Sequence, residues 1–295
     1  MWPPPTGCPT GTTGWFRASD GVWYRSDEQP APGYVLGDDG RWRPYSGRDE
    51  AERGQLWRTS NWGLGDAAWG ALAFVLTGVV GVLVFALSTD DTEQLEDVEF
   101  GVYANAAFIA LNAIALFGIP WLASRRKGLR SVRLDFGLTV RWRDPLIGFG
   151  IGIGALVTAG FVSAAVDAAF GVEERTSNVP IDNIDGPVEF VVFFLAVAVL
   201  TPVIEELFFR GLVYRSFLKR GSSTALSAVA TTAIFTVPHL LAAEDVASLV
   251  TLAATIGVLG AAFQLACITT EHRLAAPITA HAVVNATAVL ALAFS

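Results

Sequence analysis

The sequence predicts an all-α polytopic membrane protein, a bundle of about seven transmembrane helices preceded by a small Trp-rich β-hairpin segment. Three observations lead there. Of the 295 residues, 52% are hydrophobic and 16% charged, against about 25% charged in a soluble domain. Six stretches contain no Asp, Glu, Lys or Arg: Ala67 to Ser88, Phe100 to Ser124, Pro145 to Val166, Gly221 to Ala243, Val246 to Thr270 and Leu274 to Ser295. Each exceeds the roughly 20 residues that a helix needs to cross a bilayer. None alternates polar and apolar residues as a barrel strand does, and backbone in hydrocarbon must otherwise bond within its own helix.

The same composition excludes other classes. A net charge of −8 argues against a nucleic-acid partner, because phosphate binding needs a basic surface. Cys8 and Cys267 form no CxxC or Cys/His ligand pattern, so neither a disulfide framework nor a zinc ribbon is expected. The start, MWPPPTG, lacks a basic stretch followed by an apolar one, and no cleaved signal peptide is expected.

Residues 1–65 hold six of the nine tryptophans and a 19-residue repeat, in which Gly14-Trp15-Phe16 recurs as Gly33-Tyr34-Val35, Asp20-Gly21 as Asp39-Gly40, and Trp23 as Trp42. Each copy reads as two short strands around an Asp-Gly turn, a pair that tolerates the positive φ of a tight hairpin. The segment is either a semi-ordered cytoplasmic tail or an aromatic docking module for a protein partner. Residues 66–144 supply two spans and a basic loop, and residues 145–295 the rest of the bundle.

Loop charges set the orientation. Arg125 to Arg143 carries seven basic residues against Asp135 alone, whereas Asp90 to Glu99 is purely acidic. The basic loop belongs in the cytoplasm by the positive-inside rule. Continuing loop by loop gives a cytoplasmic N-terminus, seven spans and an external C-terminus in the cell membrane, with room for an eighth, re-entrant segment.

The fourth span, from about Pro187, is the exception to the absence of charge, because it contains Glu205, Glu206 and Arg210. An ionisable residue at a helix centre costs roughly 2.5 to 3.5 kcal/mol on insertion scales, so three together require internal partners or a wet cavity. Glu206 and Arg210 are four apart on one face and can pair. Glu205 is turned about 100° from Glu206 and lacks a local partner. Pro202 removes a backbone donor and can kink the helix. A membrane-boundary position with snorkelling side chains accounts for Arg215, Lys219 and Arg220 but poorly for adjacent glutamates.

Two of the three histidines lie in spans. His239 follows Pro238, His281 stands four residues before Asn285 on the same face, and His272, in a charged loop, is expected to be solvated. At these residues the chain resembles the CPBP family of intramembrane endopeptidases, which includes relatives of the CAAX prenyl proteases and of bacteriocin-processing or immunity proteins. Glu205-Glu206-Leu-Phe-Phe-Arg210 matches its EExxxR motif, Phe235-Thr-Val-Pro-His239 its FxxxH motif and His281-Ala-Val-Val-Asn285 its HxxxN motif. Each motif falls on its own span, and the resemblance covers roughly residues 145–295.

The residues suit peptide hydrolysis. Glu205 in an apolar surround, where its charged form is disfavoured, is the candidate base. His239 orients the water and shares its proton, His281 and Asn285 present donors to the oxyanion, and Glu206 and Arg210 support them. The resemblance implies the same catalytic centre of Glu205, His239, His281 and Asn285. A metal-free reaction is favoured over zinc held by Glu205, His239 and His281, because no further carboxylate is then left to act as base. Partners are membrane lipid and a membrane-associated peptide or protein. A non-catalytic scaffold or immunity protein, or a proton or solute transporter, are the competing classes. Counting from Ser222 puts His239 deeper than Glu205 and His281, so the fifth spanning helix must tilt, begin deeper or break at Pro238 for the set to converge.

Overall fold

The structure, a computed structural model, describes residues 56–88, 101–170, 184 and 186–294 together with four three-residue stretches upstream. Seven helices are long and apolar enough to cross a membrane. They are α1 (Leu64–Ser88), α2 (Val102–Lys127), α4 (Asp144–Phe170), α5 (Pro187–Lys219), α6 (Thr224–His239), α7 (Val246–Thr269) and α8 (Ala275–Ala293), with a short α3 (Val132–Phe136) between α2 and α4. Upstream, Trp15–Arg17 pairs antiparallel with Trp23–Arg25, and Tyr34–Leu36 with Trp42–Pro44. The Asp20-Gly21 and Asp39-Gly40 turns, the acidic loop from Asp90 to Glu99 and the side chains of the Trp-rich repeat lie outside the described residues. The fold class stated here is that of the helical bundle.

Helix α4 packs along α7 and α8, and α1 along α2. In lipid there is no hydrophobic drive between helices, so contact depends on close fit and interhelical hydrogen bonds. Gly148 and Gly152 supply the fit on one face of α4: a Cβ at Gly148 would strike the carbonyl oxygen of Ala276, and one at Gly152 the backbone of Ala280. Between α1 and α2 the hydroxyl of Thr77 donates to Oδ1 of Asn112 at 2.9 Å. At the acidic end, Asp245 and Ser248 form a reciprocal capping box on α7, and the Ser248 amide holds the Asp245 carboxyl below the usual carboxylate range.

The opposite, basic end is organised around one buried acid. Asp135 of α3 is fully buried. It accepts hydrogen bonds from Ser60 Oγ and Ser124 Oγ, both at 2.6 Å, from Trp62 Nε1 at 2.9 Å and from the Leu129 amide. The chain entering α1 is thereby tied to α2 and α3, and Trp57 and Trp62 join the core. Arg215, read from the sequence as a snorkelling residue, is instead buried at 3% exposure. It donates to the carbonyls of Asp135 and His272 and lies over the Trp57 ring. Lys219 likewise turns inward, donating to the carbonyls of Ser60 and Trp62. Both basic side chains complete backbone carbonyls at the end of the bundle.

His272 also departs from the sequence reading. It is packed 5.5 Å from the Tyr214 ring, with a left-handed φ of 64°, and burial with the nearby Arg215 pushes its pKa down to about 4. The turn is clamped by Arg273, which grips Asp144 at the start of α4 with two bonds of 2.8 and 3.0 Å.

Replacing Asp135 with Ala is expected to leave four buried donors unpaired and cost about 3–5 kcal/mol, read as a lower melting temperature in detergent and as tryptic cleavage after Arg58. His272 makes a pH prediction. Its folded pKa lies below the ordinary 6.5, so the unfolded chain binds the proton first. Stability is full above about pH 6.5 and declines as pH falls toward 4. A His272→Gln variant is expected to show a flatter melting-temperature profile across that window.

Candidate active site

The fourth span is built unlike the others. Helix α5 contains two π-helical stretches, Leu195–Leu200 and Leu207–Val213, on either side of the α-helical turn Thr201–Glu206. Wide π turns carry an i to i+5 bond and are frequent at functional sites. Here the amide of Thr201 reaches back to the carbonyl of Ala196. The next bond of that register, from residue 202 to the carbonyl of Val197, cannot form because residue 202 is proline and has no N–H. Asn285 of α8 fills the place, its Nδ2 donating to Val197 O at 2.8 Å. Pro202 therefore acts by opening one carbonyl to a side chain from another helix.

Glu205 and Glu206 follow one turn later and face different surroundings. Glu206 is fully buried, and its Oε1 accepts from Arg210 at 2.9 Å as the i,i+4 spacing predicts. The same oxygen lies 3.0 Å from Nδ1 of His281. Arg210, also fully buried, spends a second nitrogen on the carbonyl of Gly260 in α7 at 2.7 Å. Glu205 is partly open, with 17% of its side chain exposed, and its Oε2 lies 3.9 Å from Nε2 of His281. That oxygen is buried with no hydrogen-bond partner among the described residues.

The partners fix the imidazole protons. A carboxylate held by an arginine is an acceptor, so His281 donates from Nδ1, and in its neutral form its lone pair lies on Nε2, toward Glu205. His239 Nδ1 lies 2.9 Å from the carbonyl of Phe235. A carbonyl only accepts, so this histidine too donates from Nδ1, and its neutral form has the lone pair on Nε2.

His239 is the last residue of α6, fifteen residues after Thr224, while Glu205 is fourteen before Lys219. Both stand about 21–22 Å from the turn that joins the two helices, at 1.5 Å per residue. Counted from that turn, Glu205 and His239 lie at similar depths, and α6 ends one residue after Pro238, where it passes into the 3-10 turn Leu240–Ala242. Among the described residues no hydrogen bond joins His239 to Glu205. His239 reaches the cluster through Phe235, whose ring lies 5.0 Å from it and 6.0 Å from His281.

Two aromatic rings complete the site. Phe263 of α7 stacks on His281 with ring centres 4.5 Å apart and planes 17° apart. Phe235 lies 4.7 Å beneath the Arg210 guanidinium. Phe235 is the first residue of its motif, but its contacts with both His281 and Arg210 do not follow from the motif. No periodicity or spacing marks Phe263, Gly260 or Val197.

Zinc held by Glu205, His239 and His281 requires the three to surround one point. Among the described residues no group of three His, Cys, Asp or Glu side chains is gathered to hold a metal ion.

Residues 187–287 match the family model Type II CAAX prenyl endopeptidase Rce1-like. The chain carries that domain. The Rce1-like match begins at the first residue of α5 and includes Glu205, Glu206, Arg210, His239, His281 and Asn285, and it is narrower than the 145–295 over which the resemblance was drawn. Helices α1 to α4 lie outside it. No curated protein and no solved structure matches the chain. With seven apolar helices, the match supports a multi-pass membrane protein and, for the third of the chain it covers, a CAAX-type intramembrane protease.

Glu206→Ala is expected to leave Arg210 charged, buried and unpaired, at a cost of about 3–5 kcal/mol, whereas Asn285→Ala, which orphans one carbonyl, should cost about 1–3 kcal/mol. Thermal unfolding in detergent checks the order of the two. Asn285→Asp, which cannot donate, is expected to behave no better than Asn285→Ala.

Proposed function

We propose that the protein hydrolyses a peptide bond of a membrane-associated peptide or protein, using a water activated by Glu205 and His281. One observation carries the reading: Glu205 Oε2 and His281 Nε2 face each other at 3.9 Å, and with the carboxylate ionised and the imidazole neutral both accept a proton. One water donating to both at an ordinary distance of about 2.8 Å spans that gap at an angle of about 90°, near its own bond angle. Glu205 removes the first proton as the water attacks the scissile carbonyl carbon. The proton then passes to the leaving amine, by Glu205 or by His281 once its Nε2 has accepted it. Glu206 holds His281 in the required tautomer, and Arg210 keeps Glu206 an acceptor.

Both histidines donate from Nδ1, so neither offers a neutral N–H on Nε2. The oxyanion is served by the second N–H of Asn285, the first being committed to Val197, and by imidazolium after proton transfer. His239, with its Nε2 lone pair, orients the water or the substrate amide. The CAAX motif in the family's name is a candidate substrate; prenylation of the target has no counterpart among the site residues.

We place the basic end of the bundle in the cytoplasm, on the strength of its arginines and lysines, with the N-terminus inside and the C-terminus outside. The Trp-rich segment upstream of residue 56 is proposed to be a cytoplasmic docking module, whereas Trp57 and Trp62 belong to the bundle.

Glu205→Gln, inserted and folded, is expected to lower peptide cleavage by at least ~10²–10⁴, the usual span for a lost general base, with little change in melting temperature. Wild-type turnover should be indifferent to a metal chelator. Unchanged cleavage by Glu205→Gln would reject the assignment, and chelator-sensitive cleavage would replace the metal-free reaction.

A further inference from the structure

Outside the Rce1-like domain, α1 and α2 leave an apolar groove of about 420 Å³ that none of the catalytic candidates lines. Its walls are Trp69, Leu72 and Leu76 of α1 and Ile119 and Leu122 of α2. Trp69, Leu72 and Leu76 are 67%, 46% and 55% exposed, so the groove faces the hydrocarbon of the bilayer. At the basic end it terminates at Asp66, Arg126 and Lys127. There it adjoins a second cavity of about 390 Å³, which shares Asp66 and Lys127 and adds Lys219 and Arg220.

The two cavities differ in character. The first is lined by aliphatic and aromatic side chains, the second by hydroxyl, amide and charged groups at the depth where a helix bundle meets lipid headgroups. Four cations, Arg126, Lys127, Lys219 and Arg220, stand against the carboxylate of Asp66 in the lining and that of Asp135 buried behind Ser60 and Trp62. Asp66 is neutralised by Lys127 at 2.7 Å, and Lys219 is held by two backbone carbonyls. Arg126 and Arg220 are exposed and form no ion pair among the described residues. An apolar slot running along two helices and opening into a basin of surplus positive charge matches an amphiphile with hydrocarbon chains and an anionic head. Cations near a bilayer surface attract anionic headgroups by about 1 kcal/mol each, and a cavity of this size falls in the ordinary range for a bound small molecule.

We infer that the α1–α2 groove and the adjoining basin form a binding site for one anionic phospholipid, with an acyl chain between Leu72, Leu76, Ile119 and Leu122 and the phosphate near Arg126 and Arg220. The lipid would brace α1 against α2 and the entry segment around Trp62, which borders the basin. It is a site separate from the one at which peptide is cleaved.

The test uses the full chain in detergent, titrated with phosphatidylglycerol or with phosphatidylcholine of the same acyl chains, and bound lipid counted by native mass spectrometry. One phosphatidylglycerol per protein is expected, held at least tenfold more tightly than phosphatidylcholine. The double variant Arg126→Gln with Arg220→Gln should weaken phosphatidylglycerol about 25-fold, taking fivefold per cation, and leave phosphatidylcholine unchanged. Both side chains are exposed, so its melting temperature without lipid should match that of the wild type. Ala73→Trp, which fills the groove and keeps every cation, should also weaken phosphatidylglycerol. Equal retention of the two lipids, or undiminished phosphatidylglycerol binding by either variant, would overturn the inference. Displacement of phosphatidylglycerol by inorganic phosphate at comparable concentration would overturn it too, since the basin would then be an anion site without a lipid.

Discussion

Charge buried in an apolar bundle must be matched by charge or hydrogen bonds, and in this protein that requirement is met by Glu206 and Arg210. An unpaired ion in the bilayer interior costs several kcal/mol. Their 2.9 Å contact meets it locally, two further contacts reach across the bundle, and Glu206 Oε2 and Arg210 Nε stay buried without a hydrogen-bond partner among the described residues. Arg210 ties α5 to α7 through Gly260, and Glu206 ties α5 to α8 through His281. The pair therefore sets the position of three helices and the tautomer of a histidine. Glu205, one residue earlier, is left facing the lone pair of that histidine with no partner of its own.

The second constraint is backbone satisfaction. The π register of α5 and the missing N–H of Pro202 together leave Val197 O without a main-chain donor, and Asn285 supplies one. At the basic end the same need draws Arg215 and Lys219 inward to carbonyls and gathers four donors around Asp135. The middle and the basic end of α5 are thus pinned by polar contacts, and the candidate catalytic carboxylate sits in the α-helical turn between its two widened stretches.

Much of this was legible in order along the chain. Six of the seven spans follow from uninterrupted apolar runs, and the fourth from apolar sequence on both sides of Glu205, Glu206 and Arg210. The Glu206–Arg210 bond follows from helical spacing alone. His272 and Arg215 were misread for one reason: charge in or near a loop suggests solvent, but a tight loop packed on three helix ends has little solvent to offer. The expected offset between Glu205 and His239 came from treating each helix separately. The two helices leave one turn, and nearly equal counts from it bring both residues level.

By itself the sequence determined that the protein spans a membrane, how often, and which few polar side chains must find partners there, because those facts depend on composition and on the period of a helix. It also placed three motifs on three spans. Only the tertiary structure decided which partners they take. That Glu206 orients His281, that Asn285 replaces a proline's absent donor, and that Phe263 and Phe235 clamp His281 and Arg210 depends on the packing of α5, α6, α7 and α8. Such contacts join residues tens of positions apart, and no local pattern encodes the angle at which the helices cross.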